Sequence, residues 1–190
     1  MTNQLYFDDA KEKYSQLCAL VDVMSNQMAQ AFDDFDGNQA RKQLDVIVGY
    51  IMLEVALADN NFTVQEGAFV DQLCTTFPLL HLFDDVPSSV NWQAIAQFSD
   101  ASVARQMADK LKDLAQDYVQ NFVMGFSMLD AIVEDKDYLQ LMIEGLRTIA
   151  LAMAFVDGNG TSQEILCGTN QIIDVLVSPW RELRDIAKEL

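Results

Sequence analysis

The chain has 190 residues, of which 51% are hydrophobic and 22% charged, a balance that excludes a disordered polymer and provides ample apolar surface for a core without metal or disulfide staples. Twelve Lys and Arg stand against 29 Asp and Glu, for a formal net charge of −17. Such a field repels nucleic acid and anionic lipid and favours a basic protein surface or cations, so no nucleic-acid partner is expected.

Residues 4 to 34 read as one long amphipathic helix, with Tyr14, Leu17, Val21, Met24, Met28 and Phe32 spaced by three, four or seven. Leaving that stripe in water would be costly, so the helix should pack into the body of the protein. Asp36-Gly37-Asn38 punctuates its end. A second helix over about 39 to 58 carries Leu44, Ile47, Val48, Ile51, Met52 and Val55 on most of its sides, the pattern of a central helix. Thr63-Val64-Gln65-Glu66 then has capping-box spacing: the threonine hydroxyl accepts an orphan amide proton and the glutamate returns a bond to the threonine amide. Phe69, Val70, Leu73 and Phe77 give this third helix its packing face, and Pro78 stops it.

A connector over 78 to 90 contains His81, the sole histidine, and leads to a short helical segment from Asn91 to Phe98. From Ser99-Asp100 a second long helix runs to about 134 on a stripe that includes Val103, Met107, Leu111, Leu114, Tyr118, Phe122, Phe126 and Leu129. An apolar helix through Leu141, Ile143, Leu146, Ile149 and Met153 follows and reaches Asp157-Gly158. Thr161 to Glu164 then repeats the capping box, and a last helix begins at Ser178-Pro179 beside Trp180. The fold class expected is all-α.

The order of elements occurs twice. DNNFTVQE at 59 to 66 aligns without a gap to DGNGTSQE at 157 to 164, at an offset of 98 that the neighbouring elements keep. Residues 1 to 98 and 99 to 190 are therefore read as two related halves, with the central helices of both packed on a shared core.

In each loop, oxygen-bearing side chains stand at alternating positions: Asp59, Asn61, Thr63 with Glu66, and Asp157, Asn159, Thr161 with Glu164. Two readings follow. Oxygen donors at this spacing can converge on a hard cation such as Ca²⁺ or Mg²⁺, which makes Asp59, Asn61, Glu66, Asp157, Asn159 and Glu164 candidate metal ligands. The same residues also suffice to shape the turn and cap the next helix. Neither loop is an EF-hand, because Val70 and Gly168 stand where that loop needs its twelfth-position acid.

The segments YIMLEVALADNNFTVQEGAFVDQL and LRTIALAMAFVDGNGTSQEILCGTNQIIDV resemble the TerB-like tellurite-resistance family, whose helical domains carry an apolar helix, an Ala-Asp-Gly-like turn, a Ser or Thr cap and a downstream Glu. The resemblance implies a helical fold, association with stress-response or membrane-linked protein systems, and divalent-metal binding through Asp59, Glu66, Asp157 and Glu164. Asn60 departs from the family's favoured Gly, and Gly160 from its usual apolar residue. Unequal metal affinity is therefore expected, with the glycine-bearing second loop the more permissive.

Cys18, Cys74 and Cys167 are too far apart for a metal knuckle and read as buried free thiols. No nucleophile, base and oxyanion set can be named, which points away from an enzyme. Glu54, Asp130, Glu134 and Glu144 stand near apolar stretches, either in an interhelical cleft or on solvated faces, and the alternative function is a metal-dependent hydrolase that adds such interhelical carboxylates, Glu54 or Glu144, to the loop acids. No apolar run reaches bilayer length and the N-terminus lacks signal-peptide character, so a cytoplasmic location without membrane insertion is expected. The function expected is that of an acidic helical scaffold or protein-interaction module, with a divalent cation at its loops.

Overall fold

The structure, a computed structural model of the chain, describes residues 2–31, 36–74, 101–133, 136–158, 160 and 162–167. Helices account for 87% of these residues and none is in a strand, which establishes the all-α class. In chain order they are α1 (Thr2–Ala31), α2 (Gly37–Ala56), α3 (Val64–Cys74), α4 (Ala101–Ile132), α5 (Tyr138–Ala154) and α6 (Ser162–Leu166). The expected helices around Asn91 to Phe98 and after Ser178 lie outside the described residues, as do His81, Glu134, Asn159, Thr161 and both tryptophans.

On α1 the i, i+4, i+7, i+11 series Leu17, Val21, Met24 and Met28 is buried, as its spacing predicts. The helix lies against α5 and α2 instead of extending as an arm. Its approach to α5 is close because Gly145 offers no side chain: a Cβ there would sit 2.7 Å from Leu17 Cδ2. Likewise α4 meets α1 at Gly125, where a Cβ would lie 2.5 Å from Met24 Sδ.

Three consecutive residues of α2, Val46, Ile47 and Val48, are fully buried, a pattern that needs neighbours on every side. The helix contacts α1, α3, α4, α5 and α6. The most extensive packing is between α2 and α4 and between α1 and α5, so each long helix lies mainly on the central helix of the other half of the sequence. Leu44, Ile51, Leu111, Phe122, Leu139 and Ile149 thus belong to one continuous core.

Two residues counted on apolar faces stay in water. Leu141 is 44% exposed because it falls midway between buried Leu139 and Ile143, on the opposite side of α5. Val103, in the first turn of α4, is 37% exposed. Among the described residues no helix is long and apolar enough to cross a membrane.

Helix starts follow local chemistry. Asp36 is the N-cap of α2, its Oδ1 accepting from Asn38 N–H at 2.9 Å. Asp137 does the same for α5, accepting from Gln140 N–H at 2.8 Å. Asp130, near the end of α4, accepts from the Tyr138 and Leu139 amides and ties α4 to the first turn of α5.

Candidate functional site

The capping box at the start of α3 is complete. Thr63 Oγ1 accepts from Glu66 N–H at 3.2 Å, and Glu66 Oε2 accepts from Thr63 N–H. Satisfying that amide turns the glutamate back over its own helix start and out of water, and Glu66 is only 1% exposed. Glu164 of α6 is 3% exposed, also in a first helical turn. The Glu164 carboxyl comes near enough to that of Glu66 to act on its protonation.

That approach has definite chemistry. Ionised carboxylates only accept hydrogen bonds, so two of them in contact need either a proton between them or a cation. Burial pushes the Glu66 carboxyl well above the usual carboxylate range, and the neighbouring Glu164 carboxyl pushes it further. The two bonds from Thr63 act in the opposite sense, since they favour the ionised form. Glu66 thus tends to keep its proton where the two loop-helix units come together.

The turns that follow α2 and α5 share two backbone hydrogen bonds at matching positions. Ala58 N–H donates to Val55 O at 3.1 Å and Asn60 N–H to Leu57 O at 3.0 Å. At the sequence offset of 98, Val156 N–H donates to Met153 O at 3.2 Å and Gly158 N–H to Phe155 O at 3.0 Å. Asn60 (φ 64°) and Gly158 (φ 83°) both occupy the left-handed region, which Asn tolerates better than other side-chain-bearing residues. The substitution of Asn for Gly therefore leaves the turn type unchanged. The loops differ at Gly160, where a Cβ would be 2.5 Å from Ala154 O, a close approach with no counterpart at buried Phe62.

The remaining candidate ligands are placed as follows. Asp59 Oδ1 accepts from Asn61 N–H at 2.8 Å and holds the turn, with Asn61 exposed at the surface. Asp157 is half-buried in the matching turn, and Asn159 lies outside the described residues. Among the described residues no group of three or more His, Cys, Asp or Glu side chains gathers in metal-binding geometry. Carboxylate oxygens such as those of Glu66 and Glu164 are hard donors, of the kind that Mg²⁺ and Ca²⁺ take and softer ions do not favour.

The acids invoked for a hydrolase have other contacts. Glu54 lies 3.8 Å from Arg105 and Glu144 accepts from Gln140 Nε2 at the surface, while Asp130 accepts from the first amides of α5. Arg105 also donates through Nη2 to Leu57 O at 2.7 Å, placing a positive charge at the C-terminal cap of α2. Glu54, Asn60, Arg105, Gln163 and Cys167 line a polar cavity of about 340 Å³ beside the first turn. Burial pushes the Cys167 thiol up to about 11, and Cys18 is raised for the same first reason, so both are protonated buried thiols.

A third buried acid is one that the sequence pattern does not single out. Asp45 on α2 is 9% exposed and accepts from Tyr14 Oη of α1 at 2.8 Å. Burial pushes its carboxyl up to about 6, against the opposing effects of the Tyr14 bond and the Arg41 charge. No family model matches the chain, and no curated protein or solved structure matches it either.

Proposed function

We propose that the chain is a TerB-like, non-enzymatic interaction module made of two related helical halves, with a divalent-cation site where the halves meet at Glu66 and Glu164. The approach of these two buried carboxyls carries the reading. Each glutamate is the last residue of its copy of the repeated eight-residue motif, and the pair lies where a bound cation would neutralise both. The matched turn hydrogen bonds support descent of the two loops from one unit. Glu66 and Glu164 would hold the ion, with Asp59 and Asp157 contributing negative potential from the adjoining turns. The ion would supply charge neutralisation and a cross-link between α3 and α6. Protein binding is supported by the net charge of −17, which favours a basic partner surface.

Calorimetric titration with Ca²⁺, Mg²⁺ and Mn²⁺ at physiological ionic strength tests the site, with E66Q and E164Q beside D59N and D157N. Saturable binding is expected for the parent and is expected to be lost in E66Q and E164Q. D59N keeps the oxygen that accepts from Asn61 N–H, so it should weaken binding without removing it. A parent without a saturable site, or four variants that all bind like it, would reduce the pair to a proton-sharing structural contact.

A further inference from the structure

Beside the N-terminus of α2, between α1 and α4, lies a cavity of about 340 Å³. Its floor is apolar and firmly packed: Met24, Met28 and Phe122 are 3%, 5% and 1% exposed. Gly125 lets Met24 seat at this depth. The rim is different. Met124 and Met128 stand 57% and 41% exposed, and Ile132, one further turn along α4, is 63% exposed. The i, i+4, i+8 spacing places all three on one side of the helix, an apolar ridge continuous with the cavity.

Methionine suits such a wall because its unbranched, polarizable side chain adapts to varied apolar partners. A cavity of this size accepts one large anchor side chain, and the ridge can receive the next turn of a ligand. The charge around it is one-sided. Asp36 is the charged residue among the lining groups, with Gln39, Gln43 and Asn121 as neutral polar neighbours. The α2 bases Arg41 and Lys42 do not line it, and Arg41 is held by Asp22. Beyond Lys112, α4 carries no base, and Asp113 and Asp117 stand on it ahead of the groove, while Asp130 is turned to the α5 amides.

From this geometry we infer that the methionine-lined groove between α1 and α4 is the docking site for a basic amphipathic helix of a partner protein. The inference rests on reading the chain as an acidic interaction module, and it is independent of the cation site. Among the described residues no strand offers an edge for strand addition, whereas an apolar groove between two helices with a ridge at i, i+4, i+8 matches the spacing of an amphipathic helix. The ligand helix would place one apolar residue in the cavity and another, a turn away, along Met124 and Met128. Its Lys or Arg face would lie toward the negative field of the chain.

The test uses the full chain and a fluorescently labelled Lys/Leu peptide with leucines at i, i+4 and i+7. One control peptide has the same composition with the leucine stripe scrambled, and another replaces Lys with Glu. Saturable anisotropy is expected for the striped basic peptide alone, together with shifts of the Met24, Met28, Met124 and Met128 methyl signals in methyl-labelled protein. The double variant M124S/M128S, altered at exposed positions, should bind about tenfold more weakly or worse while keeping its helical circular dichroism. V103S, exposed but about six turns earlier on α4, should bind like the parent.

Equal binding of the scrambled peptide would overturn the proposal in favour of unspecific charge attraction. Equal binding of the Glu peptide would overturn the assigned charge. No peptide binding, with self-association that M124S/M128S abolishes, would assign the face to a second copy of this chain. No binding by a monomer would remove the site altogether. Since E66Q and E164Q are expected to bind the peptide like the parent, loss of the cation reading leaves this result untouched.

Discussion

Replacing Asp45 with Asn should stabilise the protein at neutral pH and leave it unchanged in acid. Asp45 is nearly buried and holds its proton more firmly in the fold than in the unfolded chain, its carboxyl rising from 3.8 to about 6. A group whose folded pKa is raised gives stability that is complete below the unfolded value and is lost as pH rises through the folded one. Between about pH 4 and 6 the native state therefore loses stability with increasing pH, and the loss is complete above that window. A shift of about 2 units corresponds to about 3 kcal/mol as a ceiling. Asparagine carries no charge at any of these pH values, and its Oδ1 can still accept from Tyr14 Oη, 2.8 Å from the Asp45 oxygen it replaces. Urea denaturation followed by circular dichroism at several pH values should thus show D45N more stable than the parent by up to about 3 kcal/mol at neutral pH, with the two curves converging near pH 4. In Y14F the donor that favours ionised Asp45 is gone, so the fall should extend to higher pH. A D45N protein that is less stable than the parent at neutral pH, or offset equally at every pH, would refute the reasoning.

Two further outcomes concern local packing. T63A should cost about 0.5–2 kcal/mol in chemical denaturation through loss of the α3 cap, and T63S, which keeps the hydroxyl, should restore most of it; equal losses in both variants would show that the hydroxyl bond is not the source. G145A should destabilise by about 1–3 kcal/mol because its Cβ would press on Leu17. In the G145A/L17A double variant the two costs should sum to more than the measured loss, and strict additivity would show that the helices tolerate the added methyl without strain.

Much of this architecture was legible in the residue order because its causes are local. Helical spacing identified the stripes of α1 and α4, and the apolar sides of α2 marked it as central. The Thr63 to Glu66 spacing was sufficient to predict the reciprocal bonds now seen at α3. Asp36 shows the limit of such reading. Asp-Gly-Asn serves equally to punctuate the end of one helix and to cap the next, and the carboxylate's bond to Asn38 decides for the second role.

The sequence by itself determined the described helices, the Thr63 cap and the repeated turn, since each depends on groups within a few residues of one another. It could not bring Glu66 to Glu164. A capping box fixes one oxygen of the glutamate and says nothing of what the other will face, which depends on how α3 and α6 settle against α2. Arg105 reaches Leu57, and Tyr14 reaches Asp45, for the same reason: these contacts cross between helices distant in the chain. Asp45 became a buried acid because five other helices surround α2, a property of the assembled bundle that no stretch of its own sequence carries.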